Sequence, residues 1–496
     1  MSYYIGVDLG TSSVKLLLLS ERGVEKTASR AYAVAYPRPG WSEQNPEDWY
    51  AQTLDALREL LRDADPSQVK SLSFSGQMHG LVALDGRGDV LRPAILWNDG
   101  RTQKQTDYLN EAVGRAKLLD WTGNIAFAGF TAPKILWLQE NEPENFRRAD
   151  KFLLPKDYLA YRLTGHFCTD VSDASGTLYF DVARRRWSRE MLEVLGIEES
   201  QLPAVLESAE QCGVLRADIA DMFGLPRDVV VHIGAGDNAA AAVGTGVTGD
   251  GACNISLGTS GTIFVASGSY KADREHAIHS FCSAAGDYHY LACILSAAAC
   301  NQWWVEGVGG GDYAAAEGYR LGENDVLFLP CLTGERSPHN DPAVRAMFYG
   351  MGPATTREDM HLAVLEGVAF ALRENLDIIR ALGVEVTSSK LCGGGAKSRA
   401  WGKILANVLG LRLEIPAVQQ GAALGAALLA AQGVMAGDDY AALRETLMAV
   451  RETIEPDAAL AAKYEEQYRR FLRLYPAAAT LRSDTLPPVP ARFPSP

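Results

Sequence analysis

One short segment occurs twice in this chain and constrains its fold more than any other feature. Leu-Gly-Thr-Ser stands at residues 9–12 and again at residues 257–260, half of the 496-residue chain apart. Each copy lies between two runs of strand-forming residues, which predicts a β-hairpin and not a strand-to-helix turn. A supersecondary unit that recurs at this separation predicts two halves of related construction.

The size and charge of the chain fit a two-domain protein that works on small molecules. A chain of 496 residues, 47% of them hydrophobic, is too long for a single hydrophobic core. Its net charge of −14 argues against a nucleic-acid or membrane-surface partner, because either favours a clustered basic face. We expect no signal peptide and no membrane span.

The cysteines indicate the compartment. The 8 cysteines form no Cys-x-x-Cys pair and show no metal-ligand spacing with the histidines. Cysteines of this kind are typical of small core side chains in a reducing environment. We therefore expect a cytoplasmic protein.

The first hairpin turn has features of a phosphate site. Small residues leave the backbone N–H groups of the turn uncovered, and such a nest of donors suits phosphate oxygens. Asp8, just before the turn, would repel bare phosphate but can hold a hydrated Mg²⁺ ion. The alternative is an ordinary hairpin whose hydroxyl groups satisfy its own turn. The second copy of the turn favours nucleotide binding.

Hydrophobic periodicity and turn residues predict an α/β chain. Beyond the two hairpins, the predicted strands are residues 31–36, 69–75, 91–97, 229–233, 289–294 and 389–392. The predicted helices are one that begins at Asn45-Pro46 and residues 102–110, 239–243, 296–307, 357–382, 399–409 and 421–431. Residues 170–177 are interpreted as a structural loop, and the proline-rich end as disordered.

Two polar loops follow predicted strands, where ligands bind in α/β sheets. Gln77 and His79 lie between glycines in residues 76–80, and Asn98 opens the loop of residues 98–101. For the first loop the alternative is a turn whose histidine satisfies a neighbouring carbonyl group. For the second it is a solvated turn that leads into the next helix. Together they predict a pocket for a small hydroxylated molecule.

Asp237 is the most informative acid in the chain. It follows a buried strand and two glycines, immediately before a small-residue helix. A sugar kinase needs a carboxylate at such a place to accept the proton of the attacking hydroxyl group. The alternative is a helix N-cap, and the two roles are compatible.

The second half contains three further candidates. Three glycines at 393–395 join a strand to a helix and allow close approach of a flat ligand or a phosphate. They fit neither a dinucleotide fingerprint nor a Walker-type loop. Trp303 and Trp304 could flank an adenine ring, although paired tryptophans on a helix are more often core. The long polar loop of residues 332–342 is either functional or an Ω-loop closed on itself.

These features, in this order, resemble the FGGY carbohydrate kinases. The resemblance is carried by the paired hairpins, the Gly-Asp-Asn strand end at residues 236–238 and the triple glycine, and it runs from Ile5 to about Ala431. Within the family, four segments are similar to the bacterial members that phosphorylate D-xylulose: residues 76–80, 95–101, 153–158 and 172–177.

The resemblance implies a fold, an activity and roles for individual residues. It implies two ribonuclease H-like domains of the actin and hexokinase type, at residues 1–247 and 248–482, followed by a tail at 483–496. It implies ATP-dependent phosphorylation of D-xylulose with Asp237 as general base and Asp8 as the Mg²⁺ ligand. The sugar site would consist of Gln77, Met78, His79, Asn98, Asp237 and Asn238. ATP would contact Thr11, Ser12, Ser13, Lys15, Gly258, Thr259, Gly394 and Gly395.

Several alternatives stay open at this point. The acceptor could be L-ribulose, another pentulose or gluconate, because a few loop residues decide the choice of sugar. A non-catalytic actin-like nucleotide switch would share the fold, but it would not need the two polar loops. A homodimer is common among relatives of this kind.

Overall fold

Two β-sheets with the same core strand order organise the molecule. The structure is a computed structural model that describes residues 1–481, so the predicted disordered tail at 483–496 lies outside the described residues. The first sheet has the order β13-β14-β5-β1-β2-β3 and the second the order β17-β18-β16-β15-β21-β22-β23, for strands with the bounds given next.

The strands of the first half are β1 (Tyr3–Leu9), β2 (Ser13–Ser20), β3 (Gly23–Ala31), β4 (Glu43–Gln44), β5 (Val69–Gly76), β6 (Val82–Leu84), β7 (Ala94–Ile95), β8 (Lys151–Leu153), β9 (Cys168–Asp170), β10 (Phe180–Asp181), β11 (Arg186–Trp187), β12 (Ala204–Leu206), β13 (Gln211–Val214) and β14 (Val230–Gly236). Those of the second half are β15 (Cys253–Leu257), β16 (Gly261–Ser267), β17 (His279–Cys282), β18 (Tyr288–Ile294), β19 (Leu327–Leu329), β20 (Met347–Tyr349), β21 (Ser388–Cys392), β22 (Arg412–Pro416) and β23 (Val450–Ile454).

The helices are α1 (Pro46–Leu61), α2 (Gln103–Asp107), α3 (Arg115–Thr122), α4 (Thr131–Asn141), α5 (Pro143–Arg148), α6 (Pro155–Thr164), α7 (Val171–Ala174), α8 (Arg189–Leu195), α9 (Ala217–Phe223), α10 (Asp237–Thr245), α11 (Ala298–Gln302), α12 (Arg357–Ala381), α13 (Arg399–Leu409), α14 (Gly421–Gln432), α15 (Gly437–Leu447), α16 (Ala458–Phe471) and α17 (Leu474–Thr480). Helices α2 and α11 continue into π-helical turns at Tyr108–Gly114 and Trp303–Val308. Within residues 1–481, no helix combines the length and the apolar character needed to cross a bilayer.

The two sheets confirm the expectation of two related halves. In the first, β1 pairs antiparallel with β2 and parallel with β5, which in turn pairs parallel with β14. In the second, β15 pairs antiparallel with β16 and parallel with β21, which pairs parallel with β22. Strands β1 and β15 therefore occupy equivalent central positions, and each enters one of the repeated turns.

Most predicted elements are confirmed. Helix α1 begins as expected, with the Asn45 side chain accepting a hydrogen bond from the backbone N–H of Glu47. The long helix predicted for residues 357–382 is α12, and the helix predicted for residues 399–409 is α13.

Three local predictions are wrong. The third strand of the opening sheet is β3 and not residues 31–36, because the chain turns back at once at Gly23 and pairs with the whole of β2. The strand predicted for residues 91–97 is reduced to β7. Residues 170–177 form α7 and a 3-10 turn instead of a loop, because the Asp170 side chain caps that helix.

Small residues allow one helix of the second half to contact the first half backbone to backbone. A Cβ atom on Gly425 of α14 would lie 1.7 Å from the carbonyl oxygen of Ala240 in α10. A Cβ on Gly6 of β1 would lie 2.2 Å from the carbonyl oxygen of Ala423. Helix α14 follows this path along its length. It begins beside Gly393 and then crosses α10 and β1.

Candidate active site

Parallel strands of the first sheet end together and bring two carboxylates to one edge. Asp8 is opposite Ser75 in the pairing of β1 with β5, and Gly236 is opposite Gly76 in the pairing of β5 with β14. Asp237 follows directly as the first residue of α10. This is the edge at which α/β sheets bind ligands.

Asp8 lies between a hydrogen-bond donor and a cation. The Ser75 hydroxyl donates to Asp8 Oδ1 at 3.0 Å, and Lys15 is its partner across the hairpin. Burial raises the pKa of Asp8, and the Ser75 hydrogen bond and the Lys15 charge act against that rise.

Asp237 has fewer stabilising partners. Its Oδ1 accepts from the backbone N–H of Asn238 at 2.7 Å and from the Asn238 side-chain amide at 2.9 Å. Among residues 1–481, its Oδ2 has no hydrogen-bond partner. Burial, followed by the nearby charge of Asp8, raises the pKa of Asp237 to about 7. Gly236 stands at the N-cap position, so Asp237 is the first helical residue and not the cap.

A buried charge cluster supports this strand end, and the sequence reasoning missed it. Lys156 Nζ lies 2.6 Å from Asp157 Oδ1, 2.9 Å from Asp170 Oδ1 and 3.5 Å from Asp173 Oδ2, and all four side chains are fully buried. Burial alone would lower the pKa of Lys156, but the three carboxylates raise it overall. The lysine therefore stays charged in the interior.

The cluster is connected to Asp237 through one serine. The Ser172 hydroxyl bonds to Asp170 Oδ2 at 2.5 Å and accepts the backbone N–H of Gly236 at 3.1 Å. Gly236 is the residue before Asp237, so the cluster fixes the backbone from which the carboxylate projects. The only signal in the sequence was a set of acidic residues spread over three elements.

The loop after β5 contributes Met78 and His79. Met78 Sδ lies 4.0 Å from the side-chain amide of Asn238. His79 has a positive φ of 67°, and its carbonyl oxygen accepts from Lys134 Nζ at 2.7 Å. This strained backbone is therefore held by a buried lysine. Met78, His79, Asp237 and Asn238 therefore lie near one another, and their contacts with sugar stay predictions.

Gln77 and Asn98 occupy different surroundings from these four residues. The buried Gln77 side chain donates to Gln44 Oε1 at 3.1 Å, and Gln44 in turn donates to the carbonyl of Thr11 at 2.6 Å. Asn98 is exposed and lines an open cavity of about 490 Å³ with residues 36–42. Their contacts with sugar stay predictions.

The two hairpin turns keep free backbone donors. The N–H groups of Thr11 and Ser12 have no acceptor within the described chain, and Trp97 donates to the Thr11 hydroxyl at 3.0 Å. Ser13 begins β2, and its carbonyl accepts the N–H of Gly10. The Lys15 ammonium group donates to Gln420 Oε1, at the start of α14. The first turn is therefore joined to the second half.

A cavity of about 430 Å³ separates α10 from the second hairpin. It is lined by residues that include Asn238, Ser256, Gly258, Gly393 and Gly421. The cavity therefore runs from the residue after Asp237 to the repeated turn of the second half. Its size and its glycine-rich wall suit a phosphate-bearing ligand.

The remaining candidate positions differ in accessibility. Thr259 is exposed, and its carbonyl accepts the N–H of Ala297 at 2.9 Å. A Cβ on Gly394 would meet nothing within 4 Å, whereas one on Gly395 would lie 2.8 Å from the Leu257 side chain. Packing against Leu257 thus explains why residue 395 is a glycine. Trp304 is buried in the core and Trp303 stacks on a phenylalanine, so the core interpretation of this pair applies.

Comparison with known proteins agrees with this geometry. Models of the FGGY family of carbohydrate kinases match the chain, the N-terminal domain over residues 3–244 and the C-terminal domain over residues 253–434. The xylulose kinase of Escherichia coli (strain K12) is 42% identical over 95% of this chain and 98% of its own length.

Solved structures extend the comparison. The crystal structure of a xyloylose kinase from Brucella ovis superposes with a TM-score of 0.91 at 41% identity, covering 97% of this chain and 100% of that one. A gluconate kinase from Lactobacillus acidophilus has a TM-score of 0.92 at 23% identity, covering 97% and 99%. The second likeness shows the fold alone.

The charge cluster leads to a stability prediction. Replacement of Lys156 by Met leaves three buried carboxylates without their cation, and we expect a loss of about 3–5 kcal/mol in the free energy of unfolding. Denaturant unfolding followed by circular dichroism measures it. The matched control is Lys104→Met, which removes an exposed ion pair with Glu140 and should cost about 0.2–1 kcal/mol. Equal losses in both variants would contradict the assignment.

Proposed function

The chain belongs to the FGGY family of carbohydrate kinases, and from this premise we propose that it transfers the γ-phosphoryl group of ATP to the C5 hydroxyl of D-xylulose. The single observation that carries the chemistry is Asp237, a partly desolvated carboxylate at the strand end beside a large cavity. The choice of D-xylulose is supported by the 42% identity to the E. coli xylulose kinase.

We propose Asp237 as the general base. Its Oδ2 is free to accept the proton of the sugar hydroxyl, while Asn238 holds Oδ1. A pKa of about 7 suits a base that must bind a proton in the transition state and release it afterwards. In-line placement and neutralisation of charge supply most of the remaining catalysis in phosphoryl transfer.

Asp8 is proposed to hold Mg²⁺. Within residues 1–481, no cluster of three or more acidic, histidine or cysteine side chains could hold a metal alone. A lone carboxylate nevertheless fits Mg²⁺, which binds through one or two carboxylates together with water and substrate phosphates. The negative charge of Asp8 raises the pKa of Asp237, which marks a place where a cation is favourable. When bound, the ion would neutralise charge on the phosphates.

We propose a matching role for the two hairpin turns. The free N–H groups of Thr11 and Ser12 would bind phosphate oxygens from one side, and Gly258 and Thr259 from the other. Two halves that close on both substrates would also exclude water, which competes with the sugar as acceptor. L-ribulose, another pentulose and gluconate are alternative acceptors, and a panel of sugars assayed for ADP release separates them.

The location of the protein in the cell and its oligomeric state stay proposals. A cytoplasmic location is supported by the free thiols of all 8 cysteines, which suit a reducing compartment. A homodimer is proposed from the resemblance alone, and sedimentation would test it.

Replacement of Asp237 by Asn tests the base. The amide keeps the shape of the side chain but cannot accept the proton, so we expect kcat to fall by about 10²–10⁴-fold while ATP and D-xylulose still bind. Stopped assays of xylulose phosphate and calorimetric titrations measure the two effects. The control is Asp228→Asn, which changes an exposed carboxylate near the other end of the same strand. Normal turnover in Asp237→Asn would refute the assignment.

The pH dependence supplies a second test of the same group. The base acts only when ionised, so kcat/KM should fall as the pH decreases below about 7, the pKa of Asp237. The decline should approach about tenfold per pH unit well below the pKa. Initial rates from pH 5 to pH 9 in constant-ionic-strength buffers measure it. A flat profile across pH 7 would place the essential base elsewhere.

Removal of the Asp8 carboxylate tests the metal role. In Asp8→Ala we expect the apparent affinity for Mg²⁺ to fall by about 10–100-fold, with D-xylulose binding retained. Initial rates over a Mg²⁺ titration and sugar titrations followed by tryptophan fluorescence measure the two properties. Asp63→Ala removes an exposed carboxylate of the same half as a control. An unchanged Mg²⁺ dependence would return the hairpin to a structural role.

A further inference from the structure

Arg336 carries a charge without an acidic partner at the boundary between the halves. It belongs to the long loop of residues 332–342, which joins β19 to β20. Its Nε is shielded from solvent and has no hydrogen-bond partner within residues 1–481, and no carboxylate of that range forms an ion pair with its guanidinium group. A half-buried arginine whose Nε lacks an acceptor is costly, so a ligand that supplies an acceptor would be favoured.

The backbone of the loop is fixed to the second half. Glu335 Oε1 accepts the N–H of Arg336 at 2.8 Å and the N–H of Leu295 at 2.9 Å. The N–H of Ser337 donates to the carbonyl of Cys293 at 3.0 Å. Arg336 is therefore held at the end of β18 and does not swing freely in solvent.

The side chain, however, lies against residues of the first half. Its Cζ is 5.2 Å from the ring centre of Phe127 and 5.8 Å from that of Phe130. The Phe130 ring is 4.7 Å from the His79 ring. Arg336 thus reaches across the boundary to the aromatic side chains that pack against His79.

His79, which packs against the same Phe130 ring, contributes a hydrogen-bond acceptor. Its Nδ1 lies 2.8 Å from the carbonyl of Gly176, which can only accept, so Nδ1 carries the proton and Nε2 carries a lone pair. Burial, with the charges of Arg336 and Lys134, holds the pKa of His79 well below its usual value. The ring is therefore neutral, and Nε2 can accept a hydrogen bond.

We propose that Arg336 determines specificity for ketoses by donating hydrogen bonds to the C2 carbonyl of the substrate, while His79 Nε2 accepts from its C1 hydroxyl. This inference rests on the proposed function, which places the C5 hydroxyl at Asp237. Asn238 follows Asp237 and contacts Met78 at 4.0 Å, and Met78 precedes His79. In the proposed binding mode, the end of the sugar remote from the reacting hydroxyl faces Arg336.

Arg336 and His79 together fit an α-hydroxyketone better than a polyol. A hydroxyketone offers one planar acceptor and one donor side by side, which matches a guanidinium group beside a neutral imidazole. A polyol replaces the carbonyl by a hydroxyl whose own proton needs a further acceptor. Because the arginine comes from the second half, binding of the ketose also links the two halves.

Substitution of Arg336 tests the proposal. For Arg336→Gln we expect the KM for D-xylulose to rise by about 10–100-fold, with a smaller rise for Arg336→Lys. The ratio of kcat/KM for D-xylulose to that for xylitol should fall by about tenfold or more in both variants. Sugar-independent ATP hydrolysis and the affinity for ATP should be unchanged. Arg345→Gln removes an exposed arginine close in sequence and serves as the control.

The possible outcomes separate the two proposals. If the wild-type enzyme prefers another acceptor in the sugar panel, the proposed function fails before any variant is made. If the wild-type enzyme prefers D-xylulose, two results would overturn the role of Arg336 in recognising the carbonyl group: both Arg336 variants lose xylulose and xylitol activity equally, or they lose neither activity.

Hydrogen exchange of the wild-type protein tests the proposal even if the Arg336 variants do not fold. D-xylulose should slow amide hydrogen exchange in residues 332–342, and xylitol at equal occupancy should slow it less. The same protection by both ligands would overturn the proposal.

Discussion

The close crossing of α14 over α10 and β1 determines where the active site can lie. At Gly425 and Gly6 the backbones approach so closely that a single methyl group would collide with a carbonyl oxygen. Helix α10 begins with Asp237, and α14 begins beside the cavity that runs to the second hairpin. The same crossing thus sets the distance between the carboxylates of the first sheet and the turn of the second.

The two hairpins are equivalent in topology but not in charge. Asp8 lies between Lys15 and Ser75 in its sheet, and the equivalent Ser256 lies between Thr262 and Cys392. Only the first hairpin therefore has a carboxylate and a cation beside its turn. A phosphate chain bound between the turns, as proposed above, would meet a charged side and a neutral side, so the symmetry of the sheets would not extend to the ligand.

The sequence predicts features that depend on a local pattern. It does not reveal contacts between segments that are distant along the chain. The hairpins, α12 and the strand end before Asp237 follow from short-range alternation and turn residues. The partners of Lys156 come from α6, β9 and α7, and their ion pairs exist only after these elements pack. The hydrogen bond from Gln77 to Gln44 is hidden for a similar reason, because the two residues lie far apart in the sequence. Strand β3 was misplaced because its solvent-facing side is polar and hides the strand pattern.

The two carboxylates differ in their affinity for a proton because their environments differ, although both belong to aspartates. Asp8 receives the Ser75 hydrogen bond and the Lys15 charge, both of which favour its ionised form. Asp237 receives only donors from Asn238 and feels the negative charge of Asp8, so its affinity for a proton is higher. Pairs of acids whose environments push their pKa values apart commonly take separate roles. Because the charge of Asp8 raises the pKa of Asp237, the Asp8 side chain would tune the proposed base even if it never contacted the sugar.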